Sequence, residues 1–136
     1  MSNRTDLIGN LGDTPSMRHV PVAGEDRVVT EFSIYVDRRV PTGKEGPDAF
    51  EDRGGFWMNI SVWGNEAERV ARVLRKGMRV CCIGEIIQDS WEDKETKEER
   101  VALRFVAEKV FVDLVRVESI TMRQRAEGDE QSQQQS

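Results

Sequence analysis

Trp57 and Trp63 lie six residues apart in the run Phe56–Trp63, where residue character alternates. In an extended chain Phe56, Met58, Ile60 and Val62 share one face, and Trp57, Asn59, Ser61 and Trp63 share the other. The first face is ordinary core. The second holds two indoles about 20 Å apart, at about 3.3 Å per residue, with small polar side chains between them. Covering such a ring is worth about 2–3 kcal/mol, so an occupant is expected. A single nucleic-acid strand fits this face, because each unpaired base stacked on an aromatic ring contributes about 1–3 kcal/mol whatever its identity. A duplex gains nothing, since its bases are already stacked. Trp91, at the end of another predicted strand, adds a third platform. Tyr35 suits stacking and edge packing equally.

Cations for the phosphates are scattered. Arg38 and Arg39 lead into the segment 41–55, and Arg53 leads out of it. Arg4, Arg18, Arg75 and Lys76 are further candidates for phosphate contact. For Arg75 and Lys76 a place at the negative end of a helix dipole is the stronger explanation. Glu68, Arg69 and Arg72 read as a solvated helix face. The net charge of −5 is uneven: setting aside Glu127, Asp129 and Glu130 leaves 22 acidic against 20 basic residues. A nearly neutral body of this kind can carry a local basic groove.

Other chemistries find few residues. The chain has one histidine, His19, and two adjacent cysteines, Cys81 and Cys82. That argues against zinc and against a disulfide framework. At least one of the cysteines is expected as a small buried hydrophobe. Gly9 and Gly12 lack the lysine and serine of a phosphate loop. No catalytic residue, cofactor or metal is expected. No apolar run is long enough for a membrane helix, and the N-terminus lacks a signal-peptide core, which points to the cytoplasm.

The elements that position these residues are mainly strands. Thr5–Leu11 ends in a glycine- and proline-marked turn, and Val28–Val36 alternates, with Val28, Thr30, Phe32, Ile34 and Val36 on its core face. The segment 41–55, with two prolines, four glycines and several charges, reads as a long exposed loop. His19 falls in a loop between strands. After Phe56–Trp63, residues 65–76 predict the one convincing helix. Asn65 is its N-cap and Glu68 completes a capping box. Ala67, Val70, Ala71, Val73 and Leu74 form its apolar stripe, and Gly77 stands at C′. Two long strands follow, Met78–Trp91 and Arg100–Val112, joined by the polar turn Glu92–Glu99, with Gly84 marking a bend or bulge. Val115–Met122 is read as a further strand or an assembly segment. Residues 1–125 thus form one domain, and the acidic, glutamine-rich residues 126–136 read as a disordered tail. A lone helix between the third and fourth of five strands predicts an all-β, five-stranded Greek-key OB-fold barrel.

With these residues in place, the chain resembles the bacterial-type single-stranded DNA-binding proteins. Leu7-Ile8-Gly9-Asn10-Leu11-Gly12, followed by Pro15 and Arg18, resembles the family's first strand and turn. Phe56-Trp57 and Val62-Trp63-Gly64-Asn65-Glu66-Ala67-Glu68 resemble its central strand entering the helix. Leu74-Arg75-Lys76-Gly77 with Val80 and Gly84, and then Trp91 with Arg100, resemble the helix end, fourth strand and last hairpin. The similarity spans roughly residues 3 to 122. It implies an OB-fold homotetramer that wraps single-stranded DNA without sequence preference during replication, recombination, repair or conjugative transfer. It also implies stacking at Trp57, Trp63 and Trp91. Where the family often has a fourth aromatic this chain has Val40, and where basic residues are common it has Asn59, Asn65, Asp89 and Ser90. The chain ends in Gln133-Gln134-Gln135-Ser136 in place of the family's acidic docking tip, which suits a plasmid or mobile-element version with restricted protein partners.

Two rival readings keep the barrel. In one it is a protein-interaction subunit of a replication-restart (primosomal) complex, its outer tryptophans covered by protein. In the other it is an RNA-binding module, although no reader of a 2′-hydroxyl is evident. An enzyme is the least supported class. A nucleoid-associated cytoplasmic location follows from the first reading.

Overall fold

The computed structural model describes residues 3–125. The expected tail at 126–136 lies outside the described residues. The chain forms β1 (Arg4–Leu11), β2 (Ser16–Val22), β3 (Glu25–Val36), β4 (Arg39–Pro41), β5 (Phe50–Asp52), β6 (Phe56–Trp63), α1 (Asn65–Val73), β7 (Arg79–Glu92) and β8 (Glu99–Val112). The main sheet runs β1-β7-β8-β6-β3-β2, and pairing of β1 with β3 closes it into a ring. All pairs are antiparallel except β6 with β8, which join in parallel through Ile60↔Phe105, Ser61↔Val106 and Val62↔Ala107. This is the expected OB barrel, its first strand broken at residues 12–15 into β1 and β2.

Alternation builds the core. Phe32 and Ile34 of β3, Met58, Ile60 and Val62 of β6, Val80 and Cys82 of β7, and Phe105 of β8 turn inward. Val70 of α1 and Leu74, just past its end, pack against the barrel core. The buried Thr30 hydroxyl donates to the carbonyl of Ala67 at 2.7 Å, tying α1 to β3. Gly84 sits at a register shift between β7 and β8, where an added Cβ would lie 2.0 Å from the Val106 carbonyl oxygen. The bulge expected at this glycine is present.

Several elements differ from expectation. His19 lies in β2, which the sequence pattern does not reveal, and its Nδ1 is 3.0 Å from Asp26 Oδ2. The segment 41–55 is no simple loop: β4 and β5 pair as a small antiparallel arm, with a 3-10 turn at Gly46–Asp48 between them. Helix α1 stops at Val73, capped by Leu74 in extended conformation. Its N-cap is Gly64, at a φ of 76° that favours glycine, and no side chain caps it. Asn65 and Glu68 are therefore helix residues rather than a capping box. Val73 and Phe56, assigned to apolar faces, are exposed. Val115–Met122 forms no strand; a 3-10 turn at Leu114–Arg116 is followed by irregular chain.

Candidate nucleic-acid interface

The outer face of the sheet is assembled by register. On β3 and β6, Tyr35 stands opposite Trp57, Ser33 opposite Asn59, Glu31 opposite Ser61 and Val29 opposite Trp63. Cross-strand neighbours of this kind touch. The Tyr35 and Trp57 rings meet edge-on, with centroids 5.3 Å apart at 63°. Behind the indole lies Gly12, where a Cβ would come within 2.4 Å of Trp57 Cζ3. The Gly12 amide donates to the carbonyl of Ser33 at 3.0 Å, so the backbone forms a ledge under the ring. Held from two sides, Trp57 still leaves 61% of its surface exposed.

Tyr35 is fixed in turn. Its hydroxyl donates to Asp52 Oδ2 at 2.5 Å, and Asp52 Oδ1 accepts the Arg38 amide at 2.9 Å. Asp52 thus ties the root of the β4–β5 arm to the aromatic pair. The Tyr35 hydrogen bond, and then the backbone amides of Arg38 and Gly55, hold its carboxyl below the usual aspartate range. The same bond, with partial burial and the charges of Asp52 and Asp37, pushes the Tyr35 phenol above its ordinary value.

Trp91 occupies the second arm, the β7–β8 hairpin. It stands opposite Arg100, on the face that carries Asp89 and Arg104, and is 52% exposed. Arg104 links this arm to β6. Its Nε is 2.9 Å from Asp89 Oδ2, and its Nη1 donates to the buried Ser61 Oγ at 3.1 Å. Sequence reasoning missed Arg104. Its lone position on a strand carries no signal, because its partners come from two other strands.

Trp63 sits apart from the other two indoles. It is half-buried where β6 enters α1, in a groove also lined by Glu25, Asp26, Arg27, Asn65 and Glu68. The two β6 indoles share a face as expected, but the groove beside the second is lined by three carboxylates and a single arginine, Arg27.

The arginines divide into groups. Arg38, Arg39 and Arg53 gather at the root of the β4–β5 arm, where the Arg38 guanidinium donates to the Arg53 carbonyl at 3.1 Å and Arg53 pairs with Glu51. Arg39 lies over the Phe50 ring, 5.2 Å from its centroid. Arg18 is paired with Glu31 at 2.8 Å beside the aromatic face. Arg4 is paired with Glu108 on the β1–β7–β8 side. Arg75 donates to the carbonyls of Ala71 and Leu74 and serves the helix end. Lys76 is exposed beside a groove it shares with Arg79, Asp113 and Arg116. Cys82 is buried, its thiol pushed up to about 12 mainly by loss of solvent, and Cys81 is partly covered.

A closed five-strand ring with a helix at one end and an open aromatic face defines an OB-fold protein. The solved structure of a small single-stranded DNA-binding protein from Streptomyces coelicolor superposes with a TM-score of 0.67 at 19% identity, covering 85% of this chain and 98% of that one. Residues 2–113 match the Single-strand binding protein family, and the chain belongs to that family. Single-stranded DNA-binding protein 2 of Clostridium acetobutylicum is 32% identical over 108 residues, covering 79% of this chain and 74% of that protein. Single-stranded DNA-binding protein 2 of Streptomyces coelicolor is 34% identical over 89 residues, 65% of this chain, and there the match spans only 42% of the relative. The family match does not favour the replication-restart subunit.

Proposed function

We propose that this chain binds single-stranded DNA independently of sequence, holding it extended and protected during replication, recombination, repair or transfer. The observation that carries this reading is Trp57: an indole seated on a glycine ledge, braced edge-on by Tyr35, and open to solvent on a face of small polar side chains. A ring so held is pre-organised, so stacking a base costs little side-chain entropy. Trp57 and Trp91 supply the base-independent attraction, with Tyr35 bracing the first. Arg38, Arg39 and Arg53 supply the salt-sensitive attraction at the arm root, and Arg18 borders the face. Trp63, Arg4, Arg75 and Lys76 are secondary: the charged groups lining the groove of Trp63 are mainly carboxylates, Arg4 lies on the β1–β7–β8 side, Arg75 serves the helix end, and Lys76 stands beside a groove that contains Asp113. The activity is occupancy of the strand rather than a reaction on it, in the cytoplasm at the nucleoid.

The chain is also read as a homotetramer. Ile8, Cys81 and Phe111 stand opposite one another across β1, β7 and β8 on the outer surface, with Ile8 and Phe111 exposed. Such an apolar row suits burial against another copy.

Oligo-dT titration at low salt tests the reading. Tryptophan fluorescence should be quenched strongly at micromolar DNA, and added salt should weaken binding. Unquenched fluorescence with no change in particle mass would refute it.

A further inference from the structure

We propose that Phe50, on the β4–β5 arm, is a stacking platform for one additional unpaired base, with Arg39 supplying the positive charge beside it. The inference rests on the single-strand-binding reading above and names a subsite within it.

Antiparallel register sets Pro41 opposite Phe50 and Arg39 opposite Asp52. Because side chains alternate along a strand, Arg39, Pro41, Phe50 and Asp52 share one face of the arm. That face is joined to the barrel, since Asp52 accepts the Tyr35 hydroxyl and Tyr35 is edge-on to Trp57. Phe50 stands on the same face of the arm as Asp52, two residues or about 7 Å beyond it. Val40, where the sequence lacks an aromatic, is paired with Glu51 on the arm's other face. The ring stands on the opposite strand.

Packing does not account for Phe50. It is 52% exposed and lies outside the core cluster, and the three residues of β5 are all exposed. Its close neighbour is a cation: the Arg39 guanidinium stands 5.2 Å from the ring centroid. A guanidinium over a ring polarises it and keeps a charge beside any base that stacks there, close to that base's phosphate. A base and its phosphate are what an aromatic–arginine pair on an open surface accommodates.

The test uses the full-length chain, 5′-labelled oligo-dT and a salt series, with thermal melts confirming that each variant is folded. Phe50→Leu keeps an apolar side chain but removes the ring face, and should weaken binding roughly 5- to 140-fold, the range for one stacked base, with the salt slope unchanged. Phe50→Trp should bind within twofold of wild type. Arg39→Ala should flatten the slope of log K against log salt by about 0.7, the value for one phosphate contact on a single strand. Phe50→Leu binding within twofold of wild type would overturn the proposal. Equal losses in Phe50→Leu and Phe50→Trp would overturn it too, marking the residue as one that shapes the arm. Failure of the wild-type chain to bind oligo-dT would instead refute the function on which the subsite rests.

Discussion

The Arg104 guanidinium lies 2.9 Å from Asp89, a carboxylate of its own hairpin, on the face of that arm that also carries Trp91. An internal carboxylate that occupies a cation competes with any nucleic acid for it. Asp89→Ala should release Arg104 toward the DNA backbone. Affinity for oligo-dT at low salt should rise, and the salt slope should steepen by about 0.7. The check is a fluorescence titration at several ionic strengths; an unchanged slope would mean that Arg104 stays on Ser61 and does not reach the strand.

Tyr35 is the sole tyrosine of the chain, so its ionisation can be followed directly by phenolate absorbance. Its proton is held more tightly in the folded protein, chiefly by the hydrogen bond to Asp52. This latch thus contributes fully below about pH 10, the unfolded tyrosine value, and is lost as pH rises through the higher folded value. Asp52 works in the opposite direction. Its carboxyl is held low by the same bond, so its contribution is present above about pH 4 and is lost as pH falls through the lowered value. Asp52→Asn should move the Tyr35 midpoint down toward 10. A midpoint identical in the two proteins would show that the hydroxyl does not rest on Asp52.

The two β6 tryptophans should not be equivalent. Trp57→Ala should cost about 1–3 kcal/mol of oligo-dT binding, the worth of one stacked base. Trp63→Ala should cost clearly less, because it is half-buried and the carboxylates of Glu25, Asp26 and Glu68 outnumber Arg27 in the groove beside it, which disfavours phosphates. Parallel alanine variants measured at one salt concentration decide this, and equal losses would contradict it.

Gly84→Ala should destabilise the barrel by about 1–3 kcal/mol, since the added methyl meets the Val106 carbonyl and the bulged backbone must shift. Chemical denaturation monitored by circular dichroism would measure it. A variant as stable as wild type would show that the bulge yields freely.

What could be read in advance divides along local and long-range lines. The inward set Met58, Ile60 and Val62, the outward Trp57, the Gly84 bulge and the burial of at least one of the two cysteines follow from alternation and residue type, and the structure has them so, with Cys82 the buried one. β2 could not be read this way, because five of its seven residues are exposed and the other two only half-buried; backbone bonds to β3 define it, not an apolar face. The β4–β5 arm was concealed for a similar reason, its prolines, glycines and charges resembling loop while its pairing comes from chain reversal. The helix start depends on the positive φ of Gly64, which outcompetes the capping tendency of Asn65. Arg104 and the acidic setting of Trp63 arise where separate elements converge, which spacing along one strand does not encode.

The ring has a narrow hem. β1 meets β3 only at Asn10↔Tyr35 and Leu11↔Ile34, followed by the single Gly12–Ser33 hydrogen bond. That hem is also the shelf on which the Trp57 indole rests, so the narrowest edge of the cylinder and the proposed nucleobase seat are the same few residues. A strand settling on Trp57 would stitch the cylinder shut, and slowed exchange of the Gly12 amide, which donates to Ser33, is the expected mark.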